Sequence, residues 1–143
     1  MRLLKNSIFI ICVLSLAMAC KEKPKAGYST VKLNDFFELK MSQSVVLADN
    51  DLHLTFTGVA EDSRCPKYTD CIQEGQVKVA ISAVIAGKGQ VVEIIRHPSD
   101  AGPNTATVGN FKIQLYDVMP YPESGKKINP ADYTARMAVR KVN

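Results

Sequence analysis

The chain has 143 residues, 46% of them hydrophobic and 22% charged, with a formal net charge of +4. That length supports one domain with a modest core. The positive balance is too weak to argue for nucleic acid, and no basic cluster stands out beyond Lys126-Lys127.

The amino-terminal segment comes first. Met1 to Asn6 carries Arg2 and Lys5, Ser7 to Ala19 is apolar and ends in small residues, and Cys20 follows at once. A basic start, an apolar run and a small residue at the cut describe a secretory signal peptide. The uncharged run from Asn6 to Cys20 is shorter than the roughly 20 residues of a spanning helix. With Leu16-Ala17-Met18-Ala19-Cys20 at the cut, the segment resembles a bacterial lipoprotein signal. The resemblance implies that the signal helix, residues 1–19, is removed and that Cys20 carries diacylglycerol and an acyl chain. Two or more chains anchor a protein stably where one holds it only marginally. Lys21, rather than an aspartate, stands after the cysteine, which favours the outer membrane of the cell envelope, on its periplasmic or its surface face. Removal of the signal leaves 124 residues, and the formal charge falls to +2 because Arg2 and Lys5 leave with it. Residues 20–30 include Lys21-Glu22-Lys23-Pro24-Lys25-Ala26-Gly27 and read as a flexible tether, leaving 31–143 as the folded domain.

Beyond the tether the pattern is mostly period two. Val45 to Leu47, Phe36-Phe37 and the stretch Val31 to Leu33 supply early strands. Leu52, Leu54 and Phe56 then alternate with His53, Thr55 and Thr57, which predicts one buried and one polar face. Val59 falls on the opposite parity, so Gly58 is expected to mark a β-bulge or bend. Val77, Val79, Ile81, Ala83 and Ile85 form the longest alternating row, Gly87-Lys88-Gly89 turns, and Val91 to Arg96 returns as a hairpin. The return strand is apolar on both faces, which predicts a central position in its sheet. His97 to Asn104 is a breaker-rich loop. Phe111, Ile113 and Leu115 alternate again, Met119-Pro120-Tyr121-Pro122 cannot lie inside a sheet, and Asn129-Pro130 suits the start of one helical turn. Tyr133, Ala135, Met137 and Val139 are expected to face inward on a last strand, with Arg136 and Arg140 outward. The whole reads as an all-β domain of seven or eight strands, an antiparallel immunoglobulin-like sandwich or a small barrel. Asp132-Tyr133-Thr134-Ala135 resembles the tyrosine corner of immunoglobulin-like domains, but the cysteine and core tryptophan of antibody domains are missing, and an ordinary core-facing tyrosine is the preferred reading.

Two cysteines remain in the domain, Cys65 and Cys71. In an oxidising compartment they are expected to form a disulfide. Closing so short a loop is worth about 2 kcal/mol on the chain-entropy view. The C-x5-C spacing lacks the C-x-x-C of redox motifs and of most zinc sites. Around the staple stand Glu61, Asp62, Ser63, Arg64, Asp70 and Glu74, a candidate binding loop. Oxygen ligands on a rigid loop suit calcium, but the D-x-[DN]-x-[DN]-G spacing is missing, and no metal is expected. The alternative is structural, with Asp62 or Ser63 capping backbone N–H groups while Arg64 pairs with a carboxylate. The run Gly58-Val59-Ala60-Glu61-Asp62-Ser63-Arg64-Cys65-Pro66, then Cys71 and Gly75, with Tyr121-Pro122 and Asn129-Pro130-Ala131-Asp132-Tyr133, resembles an uncharacterised family of small exported bacterial lipoproteins. That resemblance implies the fold and the disulfide and no activity.

The chain has two histidines, His53 mid-strand and His97 before Pro98, and neither lies in a catalytic motif. The expectation is therefore a non-catalytic binding or structural module, attached to the membrane by its lipid and facing another envelope protein, with no cofactor beyond the lipid and no nucleic acid. The alternative is an inhibitor of a lysozyme or protease that attacks the envelope, by analogy of size, anchor and rigid loop.

Overall fold

Alternating apolar positions become nine strands in the structure, a computed structural model that describes residues 28–48 and 51–142. The signal segment, Cys20 and residues 21–27 of the expected tether lie outside the described residues. The strands are β1 (Ser29–Val31), β2 (Phe37–Lys40), β3 (Ser44–Leu47), β4 (Leu52–Asp62), β5 (Val77–Ile85), β6 (Lys88–Arg96), β7 (Asn104–Val108), β8 (Phe111–Met119) and β9 (Thr134–Lys141). They form a five-stranded sheet in the order β1-β3-β4-β5-β6 and a four-stranded sheet in the order β2-β9-β8-β7. Both sheets have open edges, so the domain is a sandwich and not a closed barrel. The core lies between them. Leu52, Leu54, Phe56, Val77, Val79, Ile81 and Ala83 from one sheet meet Leu39, Ile113, Leu115, Ala135, Met137 and Val139 from the other.

Several expectations need correction. The described residues form nine strands, because Asn104–Val108 makes β7 from residues with no large apolar side chain before Val108. The pairing is not wholly antiparallel: β1 runs parallel to β3, matching Ser29 with Val45 and Val31 with Leu47. β1 also starts at Ser29, so the sheet takes in the last residues expected of the tether. β6 is an edge strand and not a central one. Its inward Ile94 is buried, but Val91 remains 65% exposed on the outer face. The chain after Arg96 crosses to β7 in the other sheet, and no strand among the described residues covers that edge.

Phase slips are the feature that shapes the site. β4 pairs with β5 with one register shift between Phe56 and Gly58 and a second between Val59 and Glu61. Each bulge adds one residue to β4 and reverses which face the following residues occupy. Phe56 lies opposite Ile81, Val59 opposite Val79 and Asp62 opposite Val77, so all three stand on the core side despite their changing parity. A third slip between Leu115 and Asp117 does the same for Val118, which lies opposite the buried Ala135. β8 stops at Met119, where a cis peptide bond leads to Pro120. Before β9, Asn129 caps a single 3-10 turn, Pro130–Asp132, by accepting a bond from the Ala131 N–H at 3.1 Å.

Phe56 is fully buried at the centre of this core. Phe56→Ala should lower the unfolding free energy by about 3–5 kcal/mol, through lost transfer energy and the cavity left behind, as read from the urea midpoint at constant m-value.

Candidate functional site

The segment 63–76 joins β4 to β5 and carries the Cys65–Cys71 disulfide, with Cα atoms 6.0 Å apart. Its two limbs continue the β4–β5 pairing. The Ser63 N–H donates to Gln76 O and the Cys65 N–H to Glu74 O, both at 2.8 Å. Gly75 makes this close approach possible. Its φ of +67° lies in the left-handed region, and a Cβ there would overlap the Ser63 carbonyl, so no other residue fits without moving the limb. The loop is braced on both flanks. The Lys67 N–H donates to Pro122 O at 2.9 Å, and His97 Nδ1 lies 3.3 Å from Gly75 O.

Beneath the loop is a buried polar network. The second bulge of β4 turns Asp62 inward, and Arg64 follows it two residues later. Arg64 Nε donates to Asp62 Oδ1 at 2.7 Å and Nη2 to Oδ2 at 2.6 Å, a two-pronged pair. The side chains are 3% and 8% exposed for Arg64 and Asp62, low enough that each needs the other. The remaining reach of the guanidinium goes to the opposite sheet. Nη1 donates to Val118 O at 2.6 Å and Nη2 to Pro120 O at 3.1 Å, while the group lies 4.7 Å from the centre of the Tyr121 ring. Tyr133 completes the set by donating its hydroxyl to Asp62 Oδ2 at 2.9 Å. Burial pushes the Tyr133 hydroxyl up to about 12, and its bond to the Asp62 carboxylate acts in the same direction. The hydroxyl therefore ties one sheet to a side chain of the other, and does not bond to the backbone of a crossing loop as in a tyrosine corner.

The six candidate loop residues separate into two groups. Asp62 and Arg64 are inside, and they match the structural alternative: Arg64 pairs with a carboxylate, and its own N–H reaches Asp62 Oδ1 at 3.4 Å. Ser63 accepts from the Gln76 N–H at 3.2 Å and donates to Glu61 Oε1 at 2.9 Å. Glu61, Asp70 and Glu74 are exposed, and Glu74 accepts from the Ser99 hydroxyl on the neighbouring loop. No group of three His, Cys, Asp or Glu side chains among the described residues is placed to hold a metal ion. His53 and His97 lie toward opposite ends of the five-stranded sheet: His53 pairs with Val84 near the β5–β6 turn, and His97 follows the far end of β6. A cleft of about 290 Å³ opens beside the loop, lined by Arg64, Arg96, His97, Tyr116 and Tyr121 among others. Its second arginine is already engaged, because Arg96 donates to Gly102 O at 2.7 Å, Asn104 Oδ1 at 2.9 Å and Asp100 O at 3.2 Å.

Two residues escaped the sequence reading. Tyr68 and Ile72 are completely exposed on the stapled loop, and Tyr68 holds a φ of +62°, unusual for a side chain of its size. Their signal in the sequence was present: they are the large apolar residues of a segment otherwise made of polar and turn-forming types.

The fold and loop together define a two-sheet sandwich with a braced, disulfide-stapled connection at one end. No protein family matches the chain, and no curated protein or solved structure gives a significant match.

Removing one partner of the buried pair strands the other. Arg64→Met should cost about 3–5 kcal/mol in chemical denaturation, while the Asp62→Leu/Arg64→Met double variant should lose less than the single one. Tyr133 carries a pH signature. Its raised value means that the folded state holds the phenol proton more tightly, so stability falls as pH rises from about 10 to about 12 and is unaffected below that range. Subtracting the alkaline absorbance titration of Tyr133→Phe from that of the parent should leave one tyrosine ionising near 12.

Proposed function

We propose that this protein is a lipid-anchored component of the bacterial cell envelope whose domain binds or supports and does not catalyse. The observation that carries this reading is the stapled loop. Folding has braced it with a disulfide, a buried ion pair and a cross-sheet tyrosine, and has left Tyr68 and Ile72 uncovered. A loop ordered before contact loses little entropy on binding, and its exposed apolar side chains supply the contact energy. The acid–base groups closest to it favour support over chemistry. Asp62 is saturated by Arg64 and Tyr133, and Glu74 is held by Ser99. The anchor reading rests on Cys20 following a basic, then apolar, then small-residue segment.

The hydrolase-inhibitor reading draws on the same protruding loop, since a rigid tip with Tyr68 suits insertion into a cleft. It requires a one-to-one loss of lysozyme or protease activity when the purified protein is added.

Fractionation tests the main reading. The parent protein should stay in the membrane pellet through high-salt and alkaline washes, and Cys20→Ser should move it to the soluble fraction. A Cys20→Ser protein that stays in the washed pellet would remove the lipid from the account.

A further inference from the structure

We infer that the stapled loop is a second membrane contact: its tip inserts Tyr68 and Ile72 into the lipid surface to which the chain is anchored. This inference rests on the anchored reading above and names what the exposed loop meets.

Direction of the chain is the first argument. β1 runs parallel to β3, with Ser29 opposite Val45 and Thr30 opposite Val46. β3 runs antiparallel to β4, with Val45 opposite Leu54 and Val46 opposite His53. Stepping back along β1 from Thr30 to Ser29 therefore moves along β4 from His53 to Leu54, toward Asp62 and the stapled loop. The chain enters the sheet from the side on which the loop stands.

Length is the second. At about 3.3 Å per residue, the path along β4 from Leu54 to Asp62 rises about 20–25 Å, allowing for its two bulges. The stretch from Cys20 to Tyr28 spans at most about 30 Å by covalent geometry. A lipid on Cys20 thus reaches the level of Asp62 at the base of the loop, and a domain held so close brings the loop tip to the bilayer once it tilts toward its β1 edge.

Chemistry is the third. Ile72 is wholly apolar, and Tyr68 combines an apolar ring with a polar tip, a pairing that suits the boundary between headgroups and acyl chains. Both are completely exposed, on a loop already rigid. The surroundings carry both signs: Lys67 forms a β-bridge with Glu123, which pairs with Lys126, and Asp70 and Glu74 lie on the loop itself, so the contact is apolar and not a basic patch seeking anionic lipid. The tether supplies a high local concentration, so two side chains suffice where a free domain would need more.

The chain has no tryptophan, which makes a single-site reporter direct. The full-length acylated protein carrying Tyr68→Trp is reconstituted in phosphatidylethanolamine–phosphatidylglycerol vesicles with and without brominated acyl chains. Ile72→Trp is a second reporter in case the left-handed backbone at position 68 resists the larger ring, and Lys88→Trp, at the opposite end of the sheet, is the control. The expected result is emission from position 68 or 72 shifted to shorter wavelength and roughly halved by bromolipid, with position 88 unchanged. Acylated protein that floats with the vesicles while positions 68 and 72 stay as solvent-like and unquenched as position 88 overturns the inference and leaves the anchor standing. So does shielding of position 68 by a bound envelope protein without bromolipid quenching. Mass spectrometry showing an unmodified Cys20 in the same preparation overturns both.

Discussion

The Asp62–Arg64 pair is the constraint on which the rest of this end of the molecule depends. Two opposite charges are taken almost entirely out of water, and that is tolerable only because each is matched. The carboxylate receives three side-chain donors, two from the guanidinium and one from Tyr133, and the guanidinium also satisfies two backbone carbonyls at the end of β8. Apolar residues of similar volume could fill the same space, but they would not dictate where β8 ends relative to the loop. Fully satisfied buried networks act through geometry: every bond has one length and one direction, so the two sheets are held in one relation at this end.

Rigidity of the stapled loop follows from that base. The disulfide closes the ring, Gly75 lets the limbs approach within backbone bonding distance, and the Lys67 and His97 contacts hold the flanks. None of these devices covers Tyr68 or Ile72. A loop so constrained and yet so exposed is consistent with a surface that meets something else, and the entry direction of β1 puts it on the side from which the chain arrives.

Legibility differed between residues for physical reasons. The inward rows of β4, β5, β8 and β9 were readable because a sheet with one buried face writes a period of two into the chain. The slip at Gly58 was readable as a change of parity, and the Asn129 cap as Asn followed by Pro. The placement of β6 was not, because apolar residues on both faces record contact and not hydrogen bonding, and edge or centre is decided by which strands remain to pair. β7 was hidden because an edge strand needs little apolar character. The disulfide was legible from the two cysteines left in the domain. The role of Asp62 and Arg64 was legible only as one of several alternatives, since an inward carboxylate looks like an outward one until the second bulge is counted.

By itself the sequence determined the local chemistry: which residues alternate, where backbone breakers interrupt them, which thiols can meet, and a segment ending at Cys20 that resembles a lipoprotein signal. These depend on neighbours a few positions apart. Tertiary structure decided that β1 enters in parallel, that two bulges turn Asp62 into the core, that Arg64 reaches carbonyls more than fifty positions away, and that Tyr68 and Ile72 stay uncovered. Such relations arise from sheet order and accumulated register, and no residue carries them alone.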